Sequence, residues 1–200
     1  MNRLFAALPL PEDLAVRIAG TQGGIDGARW VPAENMHITL RFIGEVSGAD
    51  TDDIVDALHG LQAPSFPVTV SGAGRFGTGE RTRAIWMGVD RTAEIVALHN
   101  KIDQALIRIG HAPEGRKYTP HVTVARFSGR VGQRRGGPPN TRVLHWLEAQ
   151  GGFFAPPFEA REFVLYESHL GRTGPVYVPV ASIPLSGTEP DDGSRRELEN

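Results

Sequence analysis

His37-Ile38-Thr39-Leu40 and His121-Val122-Thr123-Val124 spell one pattern twice: histidine, apolar residue, threonine, apolar residue. The copies lie in opposite halves of a 200-residue chain. Along an extended strand, alternate side chains point to the same face. Each segment, read as a strand, therefore sends its histidine and threonine to one face and its aliphatic residues into a core. Two such strands side by side present two imidazoles and two hydroxyls to one pocket. Imidazoles act as acid and base near neutral pH, and hydroxyls hold an oxyanion. That set can split a phosphate ester without a metal.

Working outward, each motif strand has a defined setting. His37 to Ile43 is a strand ended by Gly44, and His121 to Phe127 is a strand entered through Pro120. Arg3 to Leu10 reads as a strand, and Pro11-Glu12-Asp13-Leu14 opens a helix with acids in its first turn. Asp50 to Leu61 and Thr92 to Ile109 carry helical apolar spacing. In the second the stripe is Ile95, Leu98, Ile102, Leu106 and Ile109. Phe66 to Val70, Arg83 to Val89, Glu162 to His169 and Val176 to Ile183 read as further strands, and Thr141 to Gln150 as a short helix. The stretch 128–140, rich in Gly, Arg and Pro, reads as a mobile loop. The polar stretch from Ser186 to Asn200 reads as a disordered tail. The order suggests an α+β protein with two similar, mostly antiparallel lobes related by a degenerate duplication. Residues 1–185 form one bilobal domain in this reading.

Composition narrows the function. There is no cysteine, so disulfides, thiolate nucleophiles and Cys-based zinc sites are excluded. No apolar run is long enough to cross a bilayer. The short apolar N-terminus lacks a cleavage site, so the expected location is the cytoplasm, with no membrane partner. The net charge of −2 conceals a local excess. Between Gln104 and Leu147 the single acid, Glu114, faces eight arginines and lysines, as suits a polyanionic ligand.

Opening a cyclic phosphodiester needs a base to activate water and an acid to protonate the departing alkoxide. Two imidazoles flanking the phosphorus in line supply both. Thr39 and Thr123 would donate to the non-bridging oxygens. Arg41 and Arg126 are candidate phosphate clamps, since guanidinium matches phosphate bidentately. Arg41 shares the face of His37 and Thr39. Arg126 falls on the wrong face by strict alternation, unless a bulge near Ala125 turns it back. Lys117, Tyr118, Arg75, Arg81 and Arg83 are further candidates for ligand contact, and Trp30, Phe42 and Trp86 for base stacking. His59, His99, His111, His145 and His169 have no matching threonine and read as structural or solvent-exposed. No histidine pair has helical zinc spacing, so neither metal nor cofactor is expected. Gly72-Ala73-Gly74-Arg75-Phe76-Gly77 matches a dinucleotide-binding fingerprint, but a strand follows where a helix would have to begin. It reads as a glycine-rich hairpin.

The paired motifs resemble those of the two-histidine phosphoesterase superfamily. Arg3-Leu4-Phe5-Ala6-Ala7-Leu8, Trp30-Val31, His37 to Gly44, Tyr118 to Arg126, Leu165-Tyr166-Glu167-Ser168 and Gly174-Pro175-Val176-Tyr177 are similar to the bacterial RNA 2′,3′-cyclic phosphodiesterases, the 2′-5′ RNA ligase-like (LigT-like) group. The resemblance implies a bilobal fold with both motifs facing a central cleft. It implies hydrolysis of a terminal 2′,3′-cyclic phosphate on RNA to a 2′-phosphomonoester, with His37 as proton donor, His121 as proton acceptor, and Thr39 and Thr123 on the phosphoryl oxygens. RNA ends or nucleotides are then the partners, and the working form is a monomer. The alternatives are a phosphodiesterase on 2′-5′ linkages or small cyclic nucleotides, with possible reverse ligation, and a non-catalytic nucleotide- or RNA-binding module.

Overall fold

The computed structural model describes residues 2–127, 141–171 and 174–186. The expected loop 128–140 and almost all of the expected tail lie outside them. Ser186, read as the start of the tail, is instead tied into the fold: it exchanges backbone hydrogen bonds with Ala63 and Ser65.

In chain order the elements are β1 (Asn2–Pro9), α1 (Glu12–Ala19), β2 (Ala28–Trp30), β3 (His37–Val46), α2 (Gly48–His59), β4 (Phe66–Phe76), β5 (Ala84–Val89), α3 (Ala93–Arg108), β6 (His121–Phe127), α4 (Thr141–Gln150), β7 (Phe154–Ala160), β8 (Glu162–Leu170) and β9 (Pro175–Pro184). The strands run in the order β7-β4-β5-β6-β3-β1-β8-β9, with β2 also on β6. All these strand pairings are antiparallel. This is the expected α+β architecture. Two four-stranded halves, β7-β4-β5-β6 and β3-β1-β8-β9, meet at one residue pair, Ile38 opposite Val122. The seam therefore falls on the two motifs themselves.

Local chemistry explains most elements. Ser47 and Asp50 form a reciprocal capping box that starts α2. The Thr92 hydroxyl accepts the Ile95 N–H at the start of α3. Of the α3 stripe, Ile95, Leu98, Ile102 and Leu106 are buried as their spacing requires, while Ile109, just past the helix end, is exposed. The four buried residues join Leu4 and Leu8 of β1, Ile38 and Leu40 of β3, Ile85 and Met87 of β5, and Val122 and Val124 of β6 in one core. Each such side chain, fully buried, stabilises the fold by about 1.5–3 kcal/mol.

β7 has no counterpart among the expected elements, and it carries Pro156-Pro157. It is an edge strand, where a missing N–H costs no ladder bond. The other edge, β9, carries Pro175, Pro179 and Pro184, so both rims are blunted against further pairing.

The two halves also trade helical segments. The chain leaves β1 through α1, and Gln22 just beyond it donates to the Val124 carbonyl in the other half. It leaves β5 through α3, and His99 there bonds the Leu40 carbonyl, again in the other half.

Candidate active site

The antiparallel pair Ile38–Val122 decides the arrangement. One residue to either side, His37 falls opposite Thr123 and Thr39 opposite His121. All four side chains share the face away from the core, since Ile38, Leu40, Val122 and Val124 are buried on the other. The two histidines are then diagonal neighbours, a relation that spans about 7–8 Å in a regular antiparallel pair. That leaves room for a group between the rings.

The two imidazoles are anchored alike. His37 Nδ1 bonds the Asn35 carbonyl at 2.8 Å, and His121 Nδ1 bonds the Thr119 carbonyl at 2.7 Å. A carbonyl only accepts, so Nδ1 carries the hydrogen in both rings and Nε2 is left for chemistry. Their surroundings differ. His37 packs against Phe5 (centroids 4.8 Å), Tyr177 (5.2 Å) and Tyr166 (6.4 Å). His121 meets Phe76 edge-on (4.8 Å) and Trp86 (5.9 Å). Burial pushes the His37 pKa down to about 4, and the positive charges of Arg126 and His121 add to the effect. Burial and Arg126 also lower His121. Arg126 thus acts on both rings, and His121 acts on His37, so the three groups share one electrostatic field.

A bulge in each motif strand sorts the residues that follow. Between Thr39 and Arg41 the register to β1 slips at Leu40. Between Thr123 and Ala125 the register to β5 slips at Val124. Each slip moves the next residues to the opposite face. Arg126 thereby joins the cleft, as a bulge near Ala125 would require. The slip at Leu40 overturns the expectation for Arg41. Arg41 turns inward and is buried, while Phe42 turns to the cleft and is 52% exposed.

Arg41 does not line the cavity. It pairs with Asp103 of α3 at 2.7 Å and Glu114 at 3.4 Å, and donates to the carbonyls of Phe42 and Ala112. Asp103 also accepts the Glu114 N–H. Arg41 is a fastener between β3, α3 and the segment that leads to His121. The bulge carbonyls are secured as well. His99 bonds Leu40 O at 2.7 Å. Val124 O accepts the Val31 N–H at 2.9 Å and, more weakly, Gln22 Nε2 at 3.4 Å.

A cavity of about 570 Å³ opens on this face. Thr39, Thr123, His121 and Arg126 line it, with Phe42 and Phe76 on its walls. His37 does not line it; its ring lies among Phe5, Tyr166 and Tyr177. Tyr118 lies flat on His99, with centroids 4.0 Å apart and planes 2° from parallel. The Tyr118 hydroxyl is buried with no hydrogen-bond partner, and burial holds the phenol protonated. Among the described residues, no three His, Asp or Glu side chains cluster as a metal would need, and no helix is long and apolar enough to cross a membrane.

The model of the family described as LigT like Phosphoesterase matches residues 8–86 and 88–177, one motif in each segment. The chain belongs to the LigT-like phosphoesterase family. It is 34% identical over 148 residues to the RNA 2′,3′-cyclic phosphodiesterase of Aeropyrum pernix, covering 74% of this chain and 80% of that one. It is 31% identical over 193 residues to the protein of the same name from Geobacillus stearothermophilus, covering 93% of this chain but only 58% of that longer one. In structure it resembles Escherichia coli LigT complexed with 3′-AMP, with a TM-score of 0.70 and 26% identity over 92% of this chain and 98% of that one.

In this LigT-like phosphoesterase the glycine fingerprint has a purely structural cause. Gly74 lies in β4 opposite Trp86, and a Cβ there would sit 2.1 Å from the indole. Gly77 turns the chain at φ +84°, where a Cβ would meet the Arg81 carbonyl at 2.1 Å. These glycines let Trp86 lie across β4 beside His121 and let the hairpin close. Of the arginines near that hairpin, Arg83 lines the cavity and Arg75 and Arg81 do not. Lys117 and Tyr118 also line it. Of the stacking candidates, Phe42 reaches the cavity wall, and Trp30 and Trp86 do not. Phe5, Tyr166 and Tyr177 fall in segments that carry the family resemblance, but β1, β8 and β9 come to His37 only through long-range pairing. Gln22, in the segment after α1, carries no such signal.

Proposed function

We propose that the protein hydrolyses RNA 2′,3′-cyclic phosphodiester ends to 2′-phosphomonoesters, with two histidines and no metal in the chemical step. The phosphate sits between the two Nε2 atoms. Water attacks phosphorus opposite O3′ as His121 Nε2 takes a proton from it. The P–O3′ bond breaks, and O3′ receives a proton from His37 Nε2. The 2′-phosphate and a free 3′-hydroxyl remain. Thr39, Thr123 and Arg126 hold the non-bridging oxygens, where negative charge increases. The observation that carries this reading is the Ile38–Val122 pair, which sets both His-Thr faces around one point. The names of the relatives support the substrate, and the 3′-AMP bound to the Escherichia coli protein supports nucleotide binding.

Both histidines are held neutral in the free protein, so the proton donor must be charged on binding. An anionic phosphate between the rings raises their proton affinity. A short RNA ending in a 2′,3′-cyclic phosphate, incubated with EDTA, tests the reading. The expected product carries phosphate on O2′, and His37→Ala and His121→Ala abolish turnover. A 3′-phosphate product, or turnover that stops with EDTA, would overturn it.

A further inference from the structure

The reaction centre accounts for one phosphate, yet the cavity carries charge for more. Besides His121 and the threonines, its lining takes in Glu114, residues 116–119 and Arg83-Ala84 at the start of β5. Arg83, Arg116 and Lys117 are the cations of that part. None of the three pairs with a carboxylate among the described residues. The single acid on the wall, Glu114, is already held by Arg41. Together with Arg126, four cations face a cyclic phosphodiester that bears one negative charge. A wall so undercompensated is repulsive in itself and attracts further anions.

The backbones that carry these cations are fixed. The Arg83 N–H donates to the Phe76 carbonyl, and the Arg83 carbonyl accepts the Phe127 N–H, so this residue is clamped between β4 and β6. The segment before Arg116 is pinned by Arg41 at Ala112 and Glu114, and by Asp103 at the Glu114 N–H. The backbone positions of these cations are therefore set relative to His121, while their side chains are exposed.

We propose that Arg83, Arg116 and Lys117 form a subsite for the phosphate on the 5′ side of the terminal nucleotide. The site then recognises the end of an RNA chain in preference to a free cyclic nucleotide. This deepens the hydrolysis reading and rests on it.

Three substrates separate the contributions: adenosine 2′,3′-cyclic phosphate, the same nucleotide with a 5′-phosphate, and the dinucleotide ApA ending in a 2′,3′-cyclic phosphate. In the wild-type protein at low salt, kcat/KM for the second and third exceeds that for the first by about tenfold or more. The excess shrinks as salt rises. In a triple Arg83→Ala, Arg116→Ala, Lys117→Ala variant it falls to about twofold or less, and each single variant lowers it partway, which keeps the test valid should the triple variant misfold. An excess that persists in the variants, or no excess in a wild type that turns over the simple cyclic nucleotide, overturns the subsite. An excess for the dinucleotide alone assigns the preference to its second nucleoside and also overturns it. A wild type inactive on all three substrates would instead sink the hydrolysis reading.

Discussion

His37 and His121 occupy equivalent places on strands that meet each other, yet they sit in different media. Both donate Nδ1–H to the carbonyl two residues back. Both are followed by a bulge after the threonine. Around His37, β1, β8 and β9 contribute Phe5, Tyr166 and Tyr177. Around His121, β4 and β5 contribute Phe76 and Trp86, and the ring opens on the cavity. Where Phe5 stacks on Tyr166 across its strand pair, Trp86 lies over Gly74 in the matching pair. Duplicated backbone geometry brings two identical groups to one point. Unlike neighbours then place the two rings in different surroundings, and burial lowers the proton affinity of both.

The largest expected effect tests the division of labour between donor and acceptor. His37→Ala and His121→Ala each lower kcat on the RNA substrate by about 10²–10⁴-fold. A phosphodiester with a p-nitrophenolate leaving group needs no proton donor. On it His37→Ala recovers most of the wild-type rate, whereas His121→Ala stays impaired. Recovery by His121→Ala instead would reverse the assigned roles.

The threonines come next. Thr39→Val and Thr123→Val keep side-chain shape but remove the donor, and each lowers kcat by roughly 10- to 1000-fold. Losses of similar size would mean that the two halves share the phosphoryl charge evenly. A loss confined to one variant would show that a single oxygen is held.

A smaller effect lies in the pH profile. With His37 near 4 and His121 also below 6.5 in the free protein, kcat/KM peaks on the acid side of pH 6.5. Bound phosphate raises both, so kcat peaks at higher pH than kcat/KM. Arg126→Gln removes a charge that lowers both rings and moves the limbs of kcat/KM to higher pH. Equal optima for kcat and kcat/KM would argue against charging of the donor on binding. The same shift bears on stability. The unfolded chain protonates His37 near 6.5 and the folded chain only near 4. Its contribution is therefore intact above pH 6.5 and falls away as pH drops from 6.5 to about 4.

The smallest effect compares the two bulge clamps. His99→Phe keeps the stack on Tyr118 but leaves the Leu40 carbonyl unpaired, and it costs about 1–2 kcal/mol by denaturant midpoint. Gln22→Leu leaves Val124 O held by the Val31 N–H but strips the Val31 carbonyl of its 2.6 Å Gln22 donor. It therefore costs a similar amount, about 1–2 kcal/mol, as one lost hydrogen bond does. Since each clamp crosses from one half to the other, we expect one cooperative transition in both variants. Two separated transitions would mean that the halves unfold independently.

Much of this site could be read from local pattern. His37, Thr39, His121 and Thr123 share a face because alternation is a property of any strand, and their aliphatic partners went to the core as that rule demands. The buried stripe of α3 was equally legible. Strict alternation puts Arg41 on the wrong face because one bulged residue at Leu40 reverses the residues that follow it, up to a second slip at Ile43, and a bulge leaves no local mark when its carbonyl is satisfied by a distant His99. The same slip at Val124 turned Arg126 toward the cleft. β7 was hidden because its tolerance for two prolines depends on its being the sheet edge.

What the sequence determined alone was the kind of chemistry: two imidazoles, two hydroxyls and no thiol, on strands whose other face is oily. Side-chain type and strand period are local properties, and they need no knowledge of the rest of the chain. Tertiary structure decided which strands touch, where register slips, and which ring is wrapped in aromatics. Those depend on backbone hydrogen bonds between residues far apart in the chain, so the lowered proton affinities of His37 and His121 exist only in the folded molecule.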